Sequence, residues 1–524
     1  MEESQRYFHS DREEIGGAAG DPITRPWRRK QKAAALGFQL PPSSLALIFW
    51  LLALLGSAVE VSSSDQVRSP VLIKDLTGHF STLSTTGSID LGNPFFQPLG
   101  TNGRTCATCH AMADGWSLTP ADAQASFKAS KGADPLFRPL DGSNCPDSPG
   151  VNATPPAASA YSLLLSKGLL RIFLPVPSNA QFTIKVLSDP YGCALTEDAN
   201  GTTYLSMYRR PLPATNLRFL SSVLFDGRAT FKPLDDGMSF AANLNYDLAQ
   251  QASTATVTHS QASAPPPASV VQQMVSFELA TYTAQQVSNA IGNLNGGAGG
   301  GPAALSRQTY YPGINNSLGD DPGGAPFNPN VFSLFETWKS ASALSAYSAI
   351  RQSIARGEQL FSSAPVIIQG VKGLNDTLGE TTTVGTCSTC HDAPNVGTHS
   401  LPVLMDTGIS DVPVNADGPL ASALAQINRP RVPIYALTCT PSLGAPENVT
   451  IETSDPGGAM ITGLCRDIGK LKSPTLRALA SHPPYFHDGS ADTLQQVVSF
   501  YDSRFKMGLT ANEQADLVNF LNSL

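Results

Sequence analysis

The sequence predicts a mainly α protein built as two halves, with long irregular loops and a few short strands. Three observations point there. The pentapeptide Cys106-Ala107-Thr108-Cys109-His110 has a twin in Cys387-Ser388-Thr389-Cys390-His391. Apolar residues recur at helical spacing in several stretches, most cleanly near the C-terminus. The 44 Gly and 41 Pro in 524 residues supply long irregular connections. Hydrophobic content of 41% against 15% charge is that of a globular chain, and the length allows two or three domains. We expect a leader over 1–60, a first domain over 65–340 and a second over 341–524.

Cys-x-x-Cys-His is the pattern by which a c-type haem is attached. The two thiols add to the porphyrin vinyl groups as thioethers, about one helical turn apart, and the histidine reaches under the iron as proximal ligand. A zinc site would need both Cys-x-x-Cys pairs on one metal and has no use for the repeated histidine. A dithiol redox site would need a βαβ frame, which is absent around either copy. Two covalently bound haem c groups are therefore expected, held by Cys106, Cys109 and His110 and by Cys387, Cys390 and His391.

The N-terminus reads as an address. Arg25, Arg28, Arg29, Lys30 and Lys32 precede the apolar run Leu45 to Leu55, and small residues follow at Gly56, Ser57 and Ala58. This is a signal segment or an uncleaved anchor, and either places the remaining chain outside the cytoplasm, in a bacterium the periplasm. A formal charge of −8 argues against a nucleic-acid partner.

Along the chain, Ala158 to Leu170 reads as a helix and Phe182, Ile184 and Val186 as a short strand. Ser253 to Ser269 reads as a polar, Pro-interrupted linker, and Val271 to Leu279 resumes a helical period. Asn293 to Gly301 is a Gly-rich loop with no phosphate-site context. The second half opens with a helix over Leu344 to Ser362. It ends with helices over Thr493 to Tyr501 and after the capping box Thr510-Ala511-Asn512-Glu513.

Four cysteines remain outside the haem motifs: Cys145 and Cys193 in the first half, Cys439 and Cys465 in the second. In an oxidising compartment one disulfide per half is the natural choice among three pairings.

Function turns on the sixth ligand of each iron: a filled position relays electrons, and an open one binds peroxide or oxygen. The chain has 8 His, leaving His79, His259, His399, His482 and His487 for distal roles once the two proximal ligands and His9 of the leader are set aside. No histidine lies between His110 and His259, which suggests an open first haem. His259 could act there as acid–base group or be an exposed loop histidine. For the second haem the candidate ligands are Tyr501, whose phenolate would stabilise ferric iron, Met507 and His487. Tyr501 could equally be a core aromatic.

The haem motifs, together with Phe225-Asp226-Gly227-Arg228, Lys472-Ser473-Pro474-Thr475-Leu476-Arg477 and Pro484-Tyr485-Phe486-His487-Asp488-Gly489-Ser490, resemble the bacterial dihaem cytochrome c peroxidase family. That family includes the MauG-like enzyme that matures methylamine dehydrogenase. The resemblance implies two cytochrome c-like haem domains face to face. The His110 haem would be the peroxide site and the His391 haem the electron-transfer site. Classical members place a methionine where Tyr501 stands; the maturation enzyme uses tyrosine. The family's tryptophan relay is here Phe225, which is much harder to oxidise. Its glutamine and glutamate near the peroxide align with Gln251 and Gln261, which makes the nearby His259 more attractive as the acid–base group. The resemblance also implies calcium between the domains, with carbonyls from around His482 and Pro484, although no asparagine aligns.

The leading expectation is hydrogen peroxide reduction, with electrons from a small cytochrome c or cupredoxin. The alternatives are MauG-like oxidation of a protein or organic substrate, a dihaem oxygenase of the rubber-cleaving type, and a non-catalytic electron carrier.

Overall fold

Threonines start the two C-terminal helices. Thr493 accepts a hydrogen bond from the Gln496 amide and caps Leu494–Phe505, and Thr510 does the same through the Glu513 amide for Ala511–Leu521. In both, the third helical residue reaches back to the cap, satisfying two end amides at once. The computed structural model describes residues 66–233, 238–296, 298–316, 328, 330–340, 347–413 and 416–524. The expected leader, with His9, lies outside the described residues, as does the start of the helix expected from Leu344.

The main helices in chain order are α1 (Pro120–Ser130), α2 (Ser162–Lys167), α3 (Phe240–Thr258), α4 (Ala268–Ala280), α5 (Ser348–Ser363), α6 (Leu494–Phe505) and α7 (Ala511–Leu521). Helix α5 lies tightly on α7. A Cβ on Gly357 would stand 2.0 Å from the Asp516 carbonyl, so only glycine permits this approach. Asp516 accepts from Arg356 Nε at 2.7 Å and Ser353 Oγ at 2.5 Å across the same contact. Phe332, Phe335, Phe361 and Phe520 fill the core beside it.

Two expectations are corrected. The linker expected from Ser253 begins only after Thr258, because α3 runs through it. Ser253, Thr256 and Thr258 return their hydroxyls to the carbonyls of Ala249, Ala252 and Thr254. Their polarity is thus satisfied inside the helix, while Leu244, Leu248 and Ala252 face the core. The fold is also mixed rather than mainly α: 16 strands in six small sheets accompany 11 α-helices among the described residues. The central strands Thr203–Arg209 and Ile434–Cys439 are buried on both faces, so they show no period-2 alternation to read.

The sheets tie the halves together. Ile434–Cys439 lies between Val449–Thr453 and Phe182–Ser188, antiparallel to both, a ladder that crosses the boundary expected near 340. Leu170–Pro175 and Leu195–Glu197 flank Thr203–Arg209 in a second sheet. The two sheets share one core around Phe182, Leu205, Met207 and Leu437. Tyr435 joins them through its hydroxyl, which donates to Ala194 and Ser206 carbonyls at 3.1 and 2.6 Å. Disulfides pair Cys145 with Cys193 and Cys439 with Cys465, one per half as expected. Ser62–Leu524 forms one compact unit. No helix among the described residues is long and apolar enough to cross a membrane.

Candidate haem sites

Both Cys-x-x-Cys-His motifs fold alike. Each forms a single 3-10 turn, Cys106–Thr108 and Cys387–Thr389, closed by a threonine capping box through Thr105 and Thr108 or Thr386 and Thr389. In each, the histidine Nδ1 meets a backbone carbonyl six residues on: Trp116 for His110, at 3.2 Å, and Gly397 for His391. A carbonyl can only accept, so Nδ1 carries the proton and Nε2 keeps the lone pair that a metal takes. All four thiols are free of disulfides. Burial pushes them up, to about 12 for Cys106, Cys387 and Cys390 and about 11 for Cys109. Burial also pulls His391 down to about 4, keeping the imidazole neutral, the form that binds iron. Two neutral thiols and one neutral imidazole at the edge of a cleft fit a covalent haem.

Two clefts open over the motifs, one lined by Cys106, Cys109 and His110 and the other by Cys387, Cys390 and His391. They share a wall made by Arg210-Pro211-Leu212-Pro213, Phe225, Lys472 and Thr475. The strand Thr203–Arg209 delivers this wall. Arg209, buried at its end, grips Asp455 through Nε at 2.7 Å and Nη2 at 2.8 Å, and also binds Asp226. Two of the sequence motifs meet here, as the Lys472 amide donates to the Phe225 carbonyl at 2.7 Å. The Phe225 ring stands edge-on to His487, with centroids 6.1 Å apart.

The first cleft brings His110, His259 and Gln251 together, and leaves Gln261 out. Gln261 is exposed, and its carbonyl accepts from Thr101; it is corrected here to a surface residue. His259 caps the end of α3. Its Nδ1 lies 2.7 Å from Asp141 Oδ2. Burial works against the Asp141 carboxylate, but the His259 hydrogen bond and the Arg104 charge outweigh it and hold the group below its usual range.

The acid that sequence reasoning missed is Glu278. It sits on the buried face of α4 with Val271, Met274 and Val275 and lines the first cleft. Burial alone pushes its carboxyl up to about 8, and Oε2 has no hydrogen-bond partner. A carboxylate falling on an apolar helical stripe was the available signal. Asp141 carried none, since a lone aspartate before a glycine reads as an ordinary turn.

The second cleft gathers all three expected ligand candidates, Tyr501, Met507 and His487, along with His391. Tyr501 lies on α6, stacked on Phe505 at 6.0 Å and edge-on to Phe486 at 5.9 Å. Burial raises its hydroxyl, the nearby Cys390 and Cys387 add to this, and a hydrogen bond with Thr407 opposes it. His487 Nε2 already lies 3.2 Å from Ser410 Oγ and 3.8 Å from Asp455. His482 lines this cleft, while His79 lies in the strand Gly78–Ser84 and His399 is buried beside Asp392.

The calcium implied by the resemblance does not fit the residues present. The Arg210 guanidinium donates to the His482 carbonyl at 3.0 Å, to Leu118 at 2.8 Å and to Lys167 at 2.9 Å. A cation already occupies the carbonyl cluster, and a second would be repelled.

No family model matches the chain. Over 145 residues it is 32% identical to the cytochrome-c peroxidase IdrP2 of Pseudomonas sp. (strain SCT), covering 26% of this chain and 35% of that protein. It is 39% identical over 70 residues to the cytochrome-c peroxidase IdrP1 of Denitromonas iodatirespirans, covering 11% and 19% respectively. The matches thus span about a third or less of these relatives' lengths. Among solved structures, a MauG-like protein associated with microbial copper homeostasis aligns with a TM-score of 0.27 at 15% identity, covering 64% of this chain and 79% of that one.

Proposed function

We propose that this chain, a member of the dihaem cytochrome c peroxidase family by its sequence matches, is an exported dihaem oxidoreductase that reduces hydrogen peroxide in the first cleft. Electrons enter through the second cleft from a small cytochrome c or cupredoxin. The observation that carries this reading is the asymmetry of the clefts. The first holds an oriented histidine and a protonated carboxyl; the second has a phenol, Tyr501, in its lining.

Held through Cys106, Cys109 and His110, a haem would supply the redox centre that delivers two electrons to peroxide. The protein's own groups handle the protons. Asp141 fixes Nδ1 of His259 as the protonated nitrogen, which leaves Nε2 to accept a proton from one peroxide oxygen and return it to the other. Glu278, neutral below about pH 8, is a proton donor at physiological pH. Two protons and two electrons turn one peroxide into two waters. At the shared wall, Phe225 is too hard to oxidise to serve as a relay, so electrons cross by tunnelling past it.

A second reading has its own support. Tyr501 in the lining of the second cleft favours MauG-like oxidation of a protein or organic substrate, because an anionic ligand stabilises high iron oxidation states rather than acceptance of electrons from a donor.

The resting ferric protein should contain two haem c, one high-spin and one low-spin. Stopped-flow mixing with peroxide should give a reaction that His259→Ala slows by about 10²–10⁴-fold. Two low-spin haems inert to peroxide would sink the proposal. If the reduced donor never accelerates recovery of the ferric protein, substrate oxidation replaces peroxide reduction.

A further inference from the structure

We propose that the Lys472 ammonium binds a carboxylate of each haem, so that one buried cation is common to both cofactors and links their reduction potentials. This rests on the reading of both clefts as haem sites.

Lys472 closes the two-residue strand Leu471–Lys472, paired with Leu404–Met405. The Phe225 carbonyl holds its backbone. The residue is only 5% exposed, yet it lines both clefts. The other cations of the two clefts and their wall are already engaged. Arg104 pairs with Asp141, Arg228 with Asp226, and Arg209 with Asp226 and Asp455. Arg210, which also lines both clefts, is satisfied by three carbonyls. Lys472 has no hydrogen-bond acceptor or ion-pair partner for its Nζ among the described residues.

A haem filling either cleft would close this ammonium off from water, and an ammonium so buried without an anion is strongly unfavourable, so the filled clefts must supply one. Each haem brings two propionates. Placed at the wall common to both clefts, Lys472 is the group free to take one from either side. A positive charge there favours the ferrous form of each iron, because reduction removes one positive charge from the centre. Shared contact makes the cation act on both couples together.

The test uses Lys472→Met and Lys472→Arg in the full-length holoprotein. A pyridine haemochrome assay counts the haems, and spectroelectrochemical titration follows each couple. In Lys472→Met, two haems should remain and both potentials should fall by about tenfold in the one-electron equilibrium, ~59 mV each. Lys472→Arg should restore both. If Lys472→Met fails to fold, Lys472→Gln makes the same loss of charge with a polar end. Two haems with unmoved potentials, or a shift in one couple alone, would overturn the proposal. Fewer than two haems in the wild type would instead defeat the haem reading beneath it.

Discussion

Raising the pH should destabilise this protein through Glu278, and the size of the effect follows from the burial of one carboxyl. Glu278 is 7% exposed, and burial raises it from 4.5 to about 8. Between those values the folded chain keeps a proton that the unfolded chain has released. The unfolded state then binds fewer protons, so stability falls as pH rises, by about 1.4 kcal/mol per unit at most. Integrated from pH 5 to pH 8, the loss is about 3.5 kcal/mol; above pH 8 it levels off. Glu278→Gln keeps the shape and removes the titration. The assay is urea unfolding of the holoprotein at pH 5, 6.5 and 8, for wild type and variant. Taking the difference between them cancels every other titrating group. Wild type should lose about 3.5 kcal/mol relative to the variant across this range. A difference that stays within about 0.5 kcal/mol would refute the assignment, since a solvated or paired carboxyl has no such linkage.

Three further outcomes follow. Tyr501→Phe should convert the spectrum of the second haem, and an unchanged spectrum would assign the ligand to Met507 or His487. Phe225→Trp places an oxidisable ring in the wall shared by the clefts and should speed electron exchange between the haems; a rate no higher than wild type would take this side chain off the route. Removing the Cys145–Cys193 disulfide, which closes a separation of 48 residues, should cost about 4 kcal/mol by loop-closure entropy, and removing Cys439–Cys465, at 26 residues, about 3.5 kcal/mol. Urea unfolding reads both.

Local chemistry was legible before the fold. The capping boxes at Thr493 and Thr510 and the periodic helices behind them are written in neighbouring residues, because a helix start is decided within one turn. The polar end of α3 was misread. Serine and threonine there look like a linker, yet their hydroxyls fold back onto the helix once its apolar face is packed. Glu278 was missed for a related reason. The resemblance aligned the family's glutamate with Gln261, but that residue lies on the surface, and Glu278 enters the first cleft from the next helix.

By itself, the sequence determined the two Cys-x-x-Cys-His motifs on which the proposed haems rest. Covalent attachment needs two thiols and a histidine within five residues, and no distant contact can create or remove that. Only the tertiary structure decided which groups from distant parts of the chain surround each motif. The Asp141–His259 pair joins residues far apart in the chain, and the wall of Arg210, Phe225 and Lys472 draws on strands from both halves. Such contacts depend on where whole elements pack, which burial and sheet pairing settle and local spacing does not.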